Sequence, residues 1–404
     1  MAGPVRQPID LQALEKYIEK HVPEIKTPID IKQFGFGQSN PTYQLLSSNG
    51  QKYVMRKKPP GKLVSKTAHQ VEREYRVIHA LERTDVPVPK AYCLCEDEGV
   101  IGTPFYIMEF LDGRIIEDPG IPGVGEEERR EMYVSFSLAC GTMRFVLLLN
   151  SIVLMCRKPD LRVLAKRMDS TIDKSKTFGT ISAAQASTVD VETKKPVGQI
   201  PHIEEILGFF RDKRYQPKDR GTLVHGDYKI DNLVFHKTEP RVIGILEYVY
   251  FHNILFMTEM KSKLTSSLQL GNVNNRTSLS DLVNILSPHT VRHEKKFASL
   301  PQFSEENIAG LPSQSDLISW YREISGWDPE PDLPWGVAFG FFRNTCIYQG
   351  IAARWAVRQA SSAKAEVHAQ ARWPMGELCW KFVGLARKGK EEGEKENEKE
   401  KAKL

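Results

Sequence analysis

Three things are scarce in this sequence, and each scarcity closes off a class of protein. Cysteine is the first, with six residues in 404, of which only Cys93 and Cys95 lie close together. Cys-x-Cys is not the spacing of the common zinc knuckles. Cys93, Cys95, Cys140, Cys156, Cys346 and Cys379 therefore read as buried or free thiols of a reducing compartment. Long apolar runs are the second. The longest uncharged one, Phe145 to Cys156, falls short of the ~18 residues that suggest a membrane span and reads as a buried helix. The opening Met-Ala-Gly-Pro-Val-Arg has no apolar stretch of a secretory signal. An excess of one charge is the third: 56 Lys and Arg against 51 Asp and Glu leave a formal net charge of +5, thinly spread, which does not point to nucleic acid. The expectation is a soluble intracellular protein with no membrane span and no nucleic-acid partner.

What is present is ordinary globular material, 41% hydrophobic and 26% charged, enough for a sizeable core. Leu11, Leu14, Ile18 and Val22 recur at three- and four-residue steps and predict a helix over Asp10 to Glu24. Extended segments follow at Ile29 to Gly37, Thr42 to Leu46 and Lys52 to Arg56, the last two joined by an Asn49-Gly50 hairpin signal. His69 to Glu82 reads as a helix and Thr103 to Phe110 as a buried strand. Strands with one interposed helix suggest a small sheet with that helix packed on it. Beyond Gly125 the pattern is mainly helical, interrupted by short strands at Gly221 to His225, Asn232 to Phe235 and Val242 to Leu246. The tail from Lys388 to Leu404 carries six Lys and six Glu and cannot bury a face, so it is expected as a disordered tail or a solvated helix extension.

The richest chemistry lies in His225-Gly226-Asp227-Tyr228-Lys229-Ile230-Asp231-Asn232, a loop between two apolar strands, with Glu247 after the next strand. Phosphoryl transfer uses these parts: one carboxylate to orient an attacking hydroxyl, and an amide oxygen and a second carboxylate to hold Mg²⁺ against nucleotide phosphates. The plainer reading is that Asp227 caps a turn and Asn232 ends a loop. Motif and strand–loop–strand setting together favour the kinase-like reading.

The block from Leu223 to Phe235 resembles the catalytic loop of the aminoglycoside phosphotransferase and choline kinase superfamily. Gln38 to Tyr43, Arg56 to Gly61, Val71 to Tyr75 and Gly102 to Glu109 are similar to the kinase-like domain found N-terminal to some acyl-CoA dehydrogenases. The resemblance implies an α+β, protein-kinase-like two-lobed fold. It has a small antiparallel-sheet N-lobe over 1–110 and a larger helical C-lobe over 111–387, with the tail at 388–404. It also implies ATP and Mg²⁺ as cofactors and a small-molecule hydroxyl as acceptor, in one version that of a hydroxyacyl-CoA.

Site residues carried over by the resemblance are Gly35, Gly37, Gln38 and Ser39 over the phosphates, and Arg56 in the place of the phosphate-holding strand lysine. Glu74 is the helix carboxylate paired with that cation, and Met108, Glu109 and Phe110 form the hinge that reads adenine. Asp227 is the catalytic carboxylate, with Asn232 and Glu247 as metal ligands. Lys57 is the alternative to Arg56 if the strand slips register, and Glu72 the rival of Glu74. The family pattern after the strand Val242 to Leu246 is Asp-Trp-Glu, where this chain reads Glu247-Tyr248-Val249. Glu247 is then either a metal ligand one methylene too long or the polar end of a strand, and the second case implies a catalytically impaired nucleotide binder. Residues 145–176 and 247–278 are unlike the family, as insertions or as errors of a gene model. Ala402-Lys403-Leu404 resembles a peroxisomal address for an import receptor, unless a Lys-rich tail simply ends in Leu, so cytoplasm and peroxisome both stand as locations.

Overall fold

Strand alternation organises the first hundred residues. In the computed structural model, which describes residues 2–6, 8–34, 40–59, 71–148, 185–217, 225, 227–246, 279–292, 308–360 and 365–401, six strands form one antiparallel sheet. They are β1 (Ala2–Gly3), β2 (Ile29–Phe34), β3 (Thr42–Ser47), β4 (Lys52–Lys57), β5 (Ala91–Cys95) and β6 (Phe105–Glu109), in the order β1-β2-β3-β4-β6-β5. The predicted hairpin joins β3 to β4, with Gly50 at φ +84°, the left-handed conformation that Gly adopts without a Cβ penalty.

Tyr43 lies opposite Met55 and Leu45 opposite Tyr53, so these four share a face. That face buries against Leu14 and Ile18 of α1 (Leu11–His21), whose N-terminus is capped by Asp10 through the Ala13 N–H at 3.0 Å. Val54, opposite Met108, is on the other face, where α2 (Val71–Leu81) packs with Val71, Ile78 and Leu81. The expected helix on the sheet is there, and α1 covers the opposite face as well.

The remainder is mainly helical. After the short α3 (Glu98–Ile101) come α4 (Glu126–Leu148), α5 (Ile203–Arg211), the two-stranded β7 (Leu233–Phe235) and β8 (Val242–Ile245), α6 (Leu279–Val291), α7 (Gln314–Ser325), α8 (Leu333–Ala356) and α9 (Ala365–Lys401). One core runs from Val54, Tyr106 and Met108 of the sheet into α4, β7, β8, α6 and α7, and fuses the lobes. A second joins α5, α8 and α9 around Phe209, Phe210, Trp335 and Phe342. The fold is therefore α+β and two-lobed, with the antiparallel sheet in the smaller lobe.

The segment between the lobes is sewn to β7: Arg114 N–H donates to Phe235 O at 2.7 Å and Phe235 N–H to Arg114 O at 2.8 Å. The approach is so close that a Cβ on Gly113 would stand 2.1 Å from Phe235 O, which only Gly avoids. The Arg114 guanidinium adds bonds to His236 O, Glu239 O and the Glu128 carboxylate.

One expectation resolves and others fall outside this description. The charged tail, expected as disordered or as a solvated helix extension, takes the second form and is helical through Lys401. Lys and Glu are strong helix formers, and Lys388 and Glu392 pair at one-turn spacing, 3.8 Å apart. Residues 221–224 of the strand proposed at Gly221 to His225, the turn Gly35 to Ser39, Cys156, Glu247, Ala402 to Leu404 and nearly all of 145–176 and 247–278 lie outside the described residues. Among the described residues Cys93, Cys95, Cys140, Cys346 and Cys379 are buried free thiols, and burial pushes that of Cys93 up to about 12. No helix among them is long and apolar enough to cross a membrane.

Candidate active site

Register decides which cation of β4 faces the other lobe. Arg56 is two residues from Val54 and opposite Tyr106, so it belongs to the α2 face, whereas Lys57 alternates to the face of Tyr53 and Met55. On α2 the inward stripe is Val71, Glu74, Ile78 and Leu81, at three- and four-residue steps. Strand and helix periodicity thus bring Arg56 Nη1 to 2.5 Å from Glu74 Oε1, with both side chains about 5% exposed. The rival Glu72 pairs instead with Lys58. A buried, charge-assisted pair of this kind fixes a guanidinium where a flexible side chain would wander.

The second half of the site is the loop into β7. A 3₁₀ turn, Ile230–Asn232, brings Asn232 back on Asp227, and its Nδ2 donates to Asp227 O at 2.9 Å and Asp227 Oδ2 at 3.1 Å. With the amide nitrogen so engaged, Oδ1 is the acceptor end left for a cation. Asn232 is 6% exposed, whereas the Asp227 side chain is about one-third exposed and open to a reactant. Lys229 Nζ sits 3.7 Å from Asp227 Oδ2 and 3.0 Å from Asp231 Oδ2, placing a positive charge beside the carboxylate.

Three distant elements hold this loop. His225 N–H donates to Asp281 Oδ2 of α6 at 2.6 Å, and Asp281 is 2% exposed. His225 Nε2–H donates to Leu246 O at 3.0 Å, and burial depresses the imidazole to about 4, so the neutral ring is the form held in the fold. Tyr228 OH donates to Phe136 O of α4 at 2.7 Å while the two rings stack at 5.1 Å. Leu246 N–H also bonds Asn232 O at 2.7 Å, so the backbone just before position 247 is tied to Asn232.

Of the hinge residues, Met108 is buried opposite Val54, Glu109 is exposed at the end of β6, and Lys52 Nζ lies 5.3 Å over the Phe110 ring. Glu109 N–H already donates to Lys90 O at 2.8 Å, so that group is not free to read a base. The structure thus joins Arg56 to Glu74 and Asp227 to Asn232. Gly35, Gly37, Gln38, Ser39 and Glu247 lie outside the described residues. Sequence reading missed Lys229, which stands inside the motif itself, and Asp281. The signal for Asp281 was a lone carboxylate among Leu279, Leu282, Val283, Ile285 and Leu286 on a helix.

Among the described residues no three His, Cys, Asp or Glu side chains gather around one point. What the loop offers a hard cation is the Asp227 carboxylate and Asn232 Oδ1, a donor set that suits Mg²⁺ and leaves its remaining positions to water, phosphate or a further carboxylate.

A profile of the "Phosphotransferase enzyme family" matches residues 30–246, from within β2 to the residue after β8. Mouse acyl-CoA dehydrogenase family member 10 is 31% identical over 389 residues, which cover 94% of this chain and 32% of that protein. Mouse acyl-CoA dehydrogenase family member 11 is 31% identical over 374 residues, 91% of this chain and 42% of that one. The chain thus spans well under half the length of these curated relatives. A crystal structure from Ralstonia eutropha, assigned to the aminoglycoside phosphotransferases, is 30% identical and superposes with a TM-score of 0.64 over 93% of this chain and 99% of the other. With β3 to β6, the Asp227–Asn232 loop and the β7–β8 hairpin inside the matched span, the chain belongs to the aminoglycoside-phosphotransferase-type phosphotransferase enzyme family.

Proposed function

We propose that this protein is an ATP- and Mg²⁺-dependent small-molecule kinase that transfers the γ-phosphoryl group to a hydroxyl. The observation that carries the reading is the Asp227–Asn232 pairing, a partly open carboxylate held by a buried amide whose oxygen is left over. Asp227 accepts and orients the hydroxyl proton. Lys229 places positive charge beside the reacting oxygens, and the Arg56 guanidinium, fixed by Glu74, holds the nucleotide phosphates. Asn232 through Oδ1, and Glu247 by its place after β8, are the residues that would hold Mg²⁺, which when bound neutralises phosphate charge. Positioning and charge stabilisation supply most of the acceleration. That the relatives matched over more than nine-tenths of this chain are named acyl-CoA dehydrogenases supports a hydroxyacyl-CoA as the acceptor.

The test is phosphate transfer from ATP to a panel of hydroxyacyl-CoAs, choline and aminoglycosides, read by mass spectrometry. Asp227→Ala is expected to lower turnover by about 10³-fold, within the ~10²–10⁴ range of a general base, while leaving the Kd for ATP unchanged. Turnover equal to the parent in that variant overturns the assignment.

A second reading is favoured by one feature, Glu247 where the family has Asp: a nucleotide binder with impaired chemistry. It expects ATP to raise Tm without product. Glu247→Asp should then create turnover, and a variant as inert as the parent would count against Glu247 as the defect.

A further inference from the structure

Far from the catalytic loop, a cavity of about 230 Å³ opens where the C-terminal end of α8 meets the first turns of α9 and the segment around Lys195. Its apolar walls are Val197, Trp355 and Ala369. The N-terminal half of α8 is the part next to the catalytic loop, because Gly336 and Gly340 pack on Leu279 and Val283 of α6, the helix that carries Asp281. From Gly340 to Ala356 the helix rises roughly 24 Å at 1.5 Å per residue, so the cavity is no part of the phosphoryl-transfer cleft. It is also smaller than the ~300–1,000 Å³ of sites for drug-sized ligands, too small for a nucleotide.

Its charges are unevenly matched. Asp190 in the wall accepts the N–H groups of Glu192 at 2.9 Å and Thr193 at 2.8 Å, and Arg358 lies 3.8 Å from it while pairing with Glu192 at 2.5 Å. Glu366 accepts an amide N–H from Gln370 at 3.4 Å and shares the charge of Arg358. Arg372 has no such counterpart. Its guanidinium donates to the carbonyl oxygens of Val197 and, at 3.5 Å, Ala369; no carboxylate among the described residues pairs with it, and its buried Nε has no acceptor. Lys195 likewise has no carboxylate partner among the described residues. A half-buried guanidinium with no carboxylate partner and its Nε sealed from solvent is costly to keep uncompensated, and an anion in the cavity meeting the guanidinium's Nη edge is the natural counterpart. The flanking segments add exposed apolar surface, with Val191, Val367 and Trp373 each about half exposed.

We infer that this cavity is a binding site for a small amphipathic anion, a carboxylate or phosphate monoester on a short apolar chain, with Arg372 as its principal anchor. The test titrates the full chain by calorimetry with hexanoate, hexyl phosphate and, as the oppositely charged control, hexylammonium, each with and without saturating AMP-PNP. The expected result is one hexanoate or hexyl phosphate per chain, unaffected by AMP-PNP, and no hexylammonium. Which anion binds tighter tells a carboxylate ligand from a phosphate one. Arg372→Gln should weaken binding at least tenfold and Lys195→Ala about threefold. Ala369→Leu fills the cavity without altering Arg372 and should abolish binding in a protein of parental Tm, which keeps the test alive if Arg372→Gln does not fold. The inference is overturned if hexylammonium binds as well as the anions, if AMP-PNP displaces them, or if Ala369→Leu binds them like the parent. None of these outcomes depends on the chain being an active kinase.

Discussion

The two halves of the candidate site are built in opposite ways. Arg56 and Glu74 come from regular elements only 18 residues apart, and each side chain's direction follows from the period of its own element. The Asp227–Asn232 loop is irregular. It is held in place by Asp281, Leu246 and Phe136, which lie 56, 21 and 92 residues from their partners in the chain. An ion pair sealed in a lobe and a carboxylate held open by remote anchors should therefore fail differently, the first as lost stability and the second as lost turnover.

The largest effect is expected from breaking the buried pair. Arg56→Ala takes the buried cation away from the buried Glu74 carboxylate, and should cost ~3–5 kcal/mol in a urea titration. Replacing both residues by Met should recover most of that loss, since the penalty is that of a buried charge without its cation.

Acid probes the other half. The folded imidazole of His225 takes a proton only near 4, against an ordinary 6.5, and that of His289, also buried, behaves alike. Between those values the unfolded chain binds more protons than the folded one. Their contribution to stability is therefore complete above about pH 6.5 and is lost as pH falls toward 4, by ~3 kcal/mol per ring. Denaturant midpoints at pH 7.5 and pH 4.5 check this, and His225→Gln should roughly halve the dependence, leaving the part due to His289.

The smallest stability effect, and the sharpest contrast, is expected from Asp281→Asn. It keeps the size of the anchor but weakens the bond to His225 N–H, at ~1–2 kcal/mol, within the range for hydrogen bonds to charged groups. Turnover should drop about tenfold with an unchanged Kd for ATP. Unchanged turnover would mean that the loop keeps its shape without α6.

This contrast also explains what could be read from the sequence. Alternation in β3 and β4 and the stripe on α2 carry enough information to choose Arg56 over Lys57 and Glu74 over Glu72. The Asn49-Gly50 hairpin was legible because turn chemistry is local. Asp227 and Asn232 stood out as residue types at a spacing, but their direct hydrogen bond, the 3₁₀ turn that makes it and the part of Lys229 depend on the fold of the loop. Asp281 depends on packing between elements separated by more than fifty residues, and no period in the sequence encodes that. The charged tail was ambiguous because a segment unable to bury a face can still be helical through one-turn Lys–Glu spacing.

The stitch between Arg114 and Phe235 sets how the two lobes can move. Gly113 and Arg114 are locked to β7, and β7 begins at the residue after Asn232, so linker and catalytic loop travel as one rigid piece. Leu111 lies against Gly244 of β8 and Asp112 pairs with Lys237, so both belong to that piece, and a swing of the sheet would have to bend the chain at Phe110 or before it. Such a swing widens or narrows the gap between Arg56 and Asp227 while the Asp227–Asn232 geometry stays as it is. In the kinase proposed above, access to the nucleotide and the shape of the reacting centre would be mechanically separate.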